Sequence, residues 1–124
     1  MKSKWYVAHV ILYVKFKDGE QDHYPIWENL YLIKASSPKK AWEKADECGR
    51  LEERASKGSG LRWAGRPATW VYAGTRKLNE CLEDPFEGPF AGKAEVTYSE
   101  LRVESAKELK KLVKGTPVSI TYVK

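Results

Sequence analysis

IWENLYLIKASSPKKAWEKADECG, residues 26–49, is the stretch that decides the fold, because an apolar strand there runs directly into a proline-capped, alanine-rich helix. The strand is expected over Ile26–Ala35. Ser36 or Ser37 then serves as N-cap and Pro38 takes the first helical position, where its missing N–H costs nothing. Ala41, Trp42, Ala45, Cys48, Gly49 and Leu51 recur at helical spacing, while Glu43, Lys44, Asp46, Glu47 and Arg50 fall on the opposite side. The small residues Ala41, Ala45 and Gly49, each four apart, let this helix approach a sheet closely, with Trp42 filling the flank. The helix is expected to end by Lys57, before Gly58 and Gly60. The stretch carries no recognisable catalytic group.

Working outward, Trp5–Phe16 reads as a first strand in which Tyr6, Ala8, Val10, Leu12, Val14 and Phe16 share one face. Its other face, with Trp5, Val7, His9, Ile11 and Tyr13, is also mostly apolar and needs a cover. Asp18-Gly19 marks a hairpin turn, and His23, Tyr24 and Pro25 an irregular approach to the second strand. Beyond the helix comes a third strand system: Leu61–Ala64, a break at Gly65-Arg66-Pro67, then Thr69–Glu83, where Gly74 marks a bulge or a close approach by an aromatic ring. Residues 84–93 read as an ordered loop with Phe86 and Phe90 tucked onto the body. A strand over Ala94–Val103, a helix opened by the Ser105/Glu108 capping box and closed at Gly115, and a last strand through Val118, Ile120 and Tyr122 complete the chain. The order β-β-α-β-β-α-β predicts a single α+β domain over residues 1–124, with a largely antiparallel sheet of about five strands and one main helix on a face. The second face of strand 1 is then covered either by a second copy of the chain or by the short helix and the Phe86/Phe90 loop. The first alternative is the basis for expecting a homodimer.

Composition narrows the classes. A chain of 124 residues buries enough surface to fold without disulfide or metal. Cys48 and Cys81 have no Cys or His neighbour at metal-ligand spacing, so they are expected to be reduced, buried thiols, and no metal or cofactor is expected. The net charge of +5 is spread evenly, 12 basic against 9 acidic residues up to position 62 and 10 against 8 after it, a balance that serves solubility in any globular protein. No apolar run reaches transmembrane length and no signal peptide is visible, so a cytoplasmic protein without membrane association is expected.

Trp5-Tyr6-Val7-Ala8 opening a strand, Trp27-Glu28 in the next, Ala35-Ser36-Ser37-Pro38 entering a helix built on Ala41, Ala45 and Gly49, and Trp70-Val71-Tyr72-Ala73-Gly74 afterwards together resemble a bacterial family of small uncharacterised proteins, the domain of unknown function DUF4288. The resemblance covers about residues 5–83 and implies that 84–124 is a C-terminal extension. The family's helix usually opens with acidic residues, whereas this chain has Lys39 and Lys40 at the positive end of the helix dipole. The family carries no assigned activity, so the resemblance informs the fold alone.

For catalysis, no nucleophile elbow, Walker loop, dinucleotide fingerprint or metal helix is present, and no catalytic residue is assigned. A Cys81 thiolate near His9 is one conceivable pair, against a packed histidine and a buried thiol. Glu28 interrupts the apolar parity of Ile26, Leu30 and Leu32; it stands either at a sheet edge in water or buried and paired with an arginine. Between Glu53 and Glu80 there is no acidic residue, while Arg54, Lys57, Arg62, Arg66, Arg76 and Lys77 interleave with Trp63, Trp70 and Tyr72. That pattern could serve single-stranded nucleic acid, with cations on phosphates and rings on bases, unless the aromatics are core and the cations scatter. The reading adopted is a non-catalytic interaction or accessory module acting as a homodimer, with a contact area near Trp27, Glu28, Trp63 and Arg66. Its partner is itself or another protein. The alternative is a sequence-tolerant single-strand binder through residues 54–79, using Arg62, Trp63, Arg66, Arg76 and Lys77, and an enzyme ranks third.

Overall fold

The computed structural model describes residues 2–82, 84–86 and 95–123. The chain runs β1 (Lys4–Phe16), β2 (Ile26–Ala35), α1 (Pro38–Ser56), β3 (Arg62–Trp63), β4 (Arg66–Glu80), β5 (Leu101–Arg102), α2 (Ala106–Lys114) and β6 (Thr121–Tyr122). It is α+β: β2-β1-β4-β3 form one antiparallel sheet, and β5 and β6 form a separate antiparallel ribbon. Strand β1 lies centrally and supplies most of the core: Tyr6, Ala8 and Val10 join Ile33, Ala35, Ala41 and Ala45 under α1, while Leu12, Val14 and Phe16 join Ala68 and Trp70 further along. Among the described residues no helix is long and apolar enough to cross a membrane.

Helix α1 begins as its sequence requires. Ser37 Oγ accepts from the Lys40 N–H at 3.2 Å, and Pro38 follows it. The first turn holds no acidic residue, so nothing there complements the dipole. The small-residue stripe does what its spacing implies: Ala41, Ala45 and Gly49 are buried, and a Cβ at position 49 would clash with the edge of the Tyr72 ring of β4. Trp42 does not fill a flank; it and Leu51 lie exposed beside the contact. The far end of the helix is held by polar bonds to β4. The Trp70 N–H donates to Ser56 Oγ at 2.9 Å and the Tyr72 N–H to Glu53 Oε1 at 2.8 Å. β3 pairs with Arg66 and Pro67 and the Ala68 N–H donates to the Leu61 carbonyl at 3.0 Å, so Ser56 and Glu53 take over as acceptors for the next outward N–H groups of β4.

Several boundaries differ from the sequence reading. The β1–β2 connection is a long loop over residues 17–25 instead of a tight Asp18-Gly19 hairpin, because Gln21 folds back to accept from the Phe16 N–H and donate to the Val14 carbonyl. Gly65-Arg66-Pro67 is no break: Ala64 (φ 52°) and Gly65 (φ 77°) make a tight turn and β4 starts at Arg66. Of the strand expected over 94–103, residue 94 lies outside the described residues and the rest shortens to Leu101–Arg102, while the last strand shortens to Thr121–Tyr122. Phe86 does meet the Trp5 ring, with centroids 5.1 Å apart, yet it stays 70% exposed; Phe90 lies outside the described residues.

Replacing Gly49 by Ala should destabilise the protein. The added methyl must displace the Tyr72 ring at a cost of about 1–3 kcal/mol, more than the roughly 1 kcal/mol that Ala gains over Gly within a helix. Urea unfolding of Gly49→Ala checks this, and a variant more stable than the parent would contradict the close approach.

Candidate functional site

Gly74 in the sequence marks a real irregularity with consequences for the residues after it. The β1–β4 register passes from Ile11↔Gly74 to Leu12↔Tyr72, leaving Ala73 unmatched, and from His9↔Lys77 to Val10↔Thr75, leaving Arg76 unmatched. Two bulges within a few residues twist β4 and re-aim its side chains. One result is a row of polar groups on the sheet face opposite α1. Arg76 Nε and Nη2 both reach Glu28 Oε2 at 2.6 Å, and His9 Nδ1 lies 3.3 Å from the same oxygen. Glu28 is therefore paired with an arginine; its side chain is 29% exposed.

His9 is 3% exposed, and neither ring nitrogen has a hydrogen-bond partner. Burial pushes its pKa below the usual 6.5; the Glu28 carboxylate opposes that shift, while Lys77 and Arg76 add to it. The imidazole is thus held neutral near pH 7. Beside this row, Arg76, Lys77 and Asn79 face Tyr98, Glu100 and Tyr122 across a cleft of about 590 Å³. Arg76 stacks on the Tyr122 ring at 4.2 Å and Lys77 Nζ donates to the Tyr98 carbonyl at 2.9 Å. Among the described residues, the cleft lining contains no thiol, serine or imidazole. Nor do three His, Cys, Asp or Glu side chains gather as a metal site among the described residues.

The residues singled out from sequence fall into three places. Trp27 and Trp63 meet edge to face at 6.0 Å, each also against Trp70, on the α1 side of the sheet. Arg66 binds Asp18 through Nε (2.9 Å) and Nη2 (2.8 Å), lies 3.9 Å above the Phe16 ring and holds the Asp18 carboxyl below its ordinary pKa; Arg62 caps the Gly65 carbonyl. Glu28, Arg76 and Lys77 make the third group, on the opposite face. The cations of 54–79 are thus engaged separately, Arg66 by Asp18, Arg76 by Glu28 and Lys57 by Glu53 at 3.8 Å. Cys48 and Cys81 are free and only half-buried, and burial first, then nearby acids, raises both thiol pKa values away from a reactive thiolate. His9 faces Glu28, not Cys81.

The second face of β1 turns out to be largely closed within the chain: Val7 and His9 are buried, with Ile11 and Tyr13 half-buried. What stays exposed on that face belongs to β2. Ile26 and Leu30 are each 58% exposed and Leu32 38%; they stand opposite Tyr13, His9 and Val7. Sequence parity had placed these three residues together, but nothing in it indicated that β2, and not β1, would be the edge.

Since the folded pKa of His9 is depressed, the unfolded chain binds its proton more readily. The stability this histidine contributes is complete above pH 6.5 and is lost as pH falls through the folded value, with a slope of at most about 1.4 kcal/mol per pH unit. Urea unfolding between pH 7.5 and 5 should show that slope, and His9→Gln should flatten it. An equal slope in the variant would assign it to other groups.

The comparisons with known proteins bear on family. The family profile described as Domain of unknown function (DUF4288) matches residues 5–99, which takes in the four-stranded sheet except Lys4, together with α1 and the Lys77–Tyr98 contact. No curated protein and no solved structure matches the chain. By that match the chain belongs to the DUF4288 family.

Proposed function

We propose that this protein is a non-catalytic interaction module that works as a homodimer, and that the contact is made by β2. The observation that carries the reading is the contrast between the sheet's two edges. The β4 edge is capped by β3 and by Ser56 and Glu53 of α1. The β2 edge pairs with no strand among the described residues, and it presents Ile26, Leu30 and Leu32 to water on one face. Natural sheets blunt such edges with proline, bulges or inward charges, or else use them for pairing. Here Pro25 stops short of the strand and the β1–β2 register runs from Lys4↔Ala35 to Tyr13↔Ile26 without a bulge.

The cleft favours the same class of function. Its lining of Arg76, Lys77, Asn79, Tyr98 and Tyr122 offers donors and ring faces suited to hydrogen bonding and stacking. Burying half-exposed leucines from two protomers offers a favourable term of several kcal/mol, since a side chain taken wholly from water contributes about 1.5–3 kcal/mol.

Light scattering and sedimentation over a concentration series test the reading. A dimer is expected for the parent chain, and Leu30→Asp should weaken it by at least about tenfold while leaving the fold intact, because Leu30 is already exposed in the protomer. A parent protein monomeric throughout the series, or a Leu30→Asp dimer of unchanged affinity, would overturn it.

A further inference from the structure

Resting on that reading, we infer that the two copies join β2 to β2 in antiparallel fashion about a two-fold axis at Tyr31, which makes one continuous sheet from two. Side chains alternate along a strand, so an antiparallel self-pairing keeps the two faces distinct only when the axis passes through a residue position. Centring on Tyr31 sets Leu30 opposite the partner's Leu32 and Glu28 opposite the partner's Lys34. On the α1 side it sets Trp27 opposite the partner's Ala35, a large ring against a small one. Centring on Leu30 instead puts Ile26 against the partner's Lys34 and Glu28 against the partner's Leu32, an apolar residue facing a charge each time. Centring on Asn29 leaves Leu30 against the partner's Glu28, and centring on Leu32 leaves it against the partner's Lys34. Only the Tyr31 axis matches apolar with apolar and acid with base on the exposed face.

The electrostatics within one protomer supply a second argument. Arg76 and His9 both address Oε2 of Glu28, and Oε1 accepts no hydrogen bond from the described residues. Lys34, on the same face, lies over the Trp5 ring at 5.7 Å and has no acidic partner among the described residues. A half-used carboxylate and an unpaired ammonium thus stand on one edge strand at the two positions that this axis brings together. Sterically the edge is accessible, since α1 packs most heavily on β4 and least on β2.

Disulfide trapping reads the register directly. In a Cys48→Ser, Cys81→Ser background, chains carrying Leu30→Cys and chains carrying Leu32→Cys are oxidised alone and mixed. Residues directly opposite in an antiparallel pair lie about 4.5–5.5 Å apart at Cα, within disulfide reach, whereas diagonal neighbours at roughly 7–8 Å do not bridge without movement. The expected result is a covalent dimer in the mixture and none from either chain alone. Self-linking of Leu30→Cys would move the axis to Leu30, and self-linking of Leu32→Cys would move it to Leu32; either overturns the inference. A non-covalent dimer that gives no cross-link also overturns it while leaving the homodimer standing, and a monomeric protein removes both. Lys34→Glu, which needs no cysteine chemistry, should weaken the dimer about tenfold by replacing two attractive pairs with two repulsive ones; unchanged affinity would count against the Tyr31 axis.

Discussion

A strand that is apolar on both faces cannot sit at the edge of a sheet or leave either face in water, and β1 is such a strand. The placement of the other elements follows from covering it. β2 and β4 flank it, and α1 closes one face through Ala41, Ala45 and Gly49, with the Tyr72 ring occupying the space a larger residue at 49 would claim. On the other face the bulges of β4 turn Arg76 and Lys77 toward Glu28 and the Tyr98 and Tyr122 rings. Val7 and His9 are buried in consequence of that arrangement. Among the described residues, the outer side of β2 is left without a neighbouring strand.

The charges show the same economy. A net charge of +5 and an acid-free run over residues 54–79 suggest a basic surface when read along the chain. In the fold, acids distant in sequence come to meet those cations: Asp18 reaches Arg66 and Glu28 reaches Arg76, each across 48 positions. The first contact fastens the long β1–β2 loop to the start of β4. The second ties β2 to β4 across β1. Both act as internal fasteners, and the cations they engage are half-buried and oriented by their acids.

Local signals were legible in the sequence wherever a single element's chemistry set the outcome. The β2 boundaries, the Ser37 cap with Pro38, the stripe of small residues, and the Ser105/Glu108 box with Gly115 at the end of α2 all follow from nearest neighbours. Tertiary decisions were not legible. The Asp18-Gly19 pair yielded to a longer loop because Gln21 satisfies the backbone of Phe16 and Val14, and among the described residues of the strand expected over 94–103 a partner is found only at Leu101 and Arg102. At the candidate site, Gly74 signalled a bulge, and Glu28 stood out as a carboxylate in an apolar row. Their connection through Arg76 depends on a residue left unmatched in the β4 register, which no pattern in the sequence encodes.

The central claim is that the outer edge of β2 is where this protein meets its own copy. Amide hydrogen exchange of residues 26–35, followed from dilute to concentrated solution, tests it most directly, since pairing would satisfy the backbone groups that the protomer leaves open. The account predicts that protection in β2 rises with concentration while that of β1, already paired on both sides along much of its length, stays constant. Protection of β2 that is independent of concentration, in a protein that nonetheless associates, would place the contact elsewhere and contradict the account.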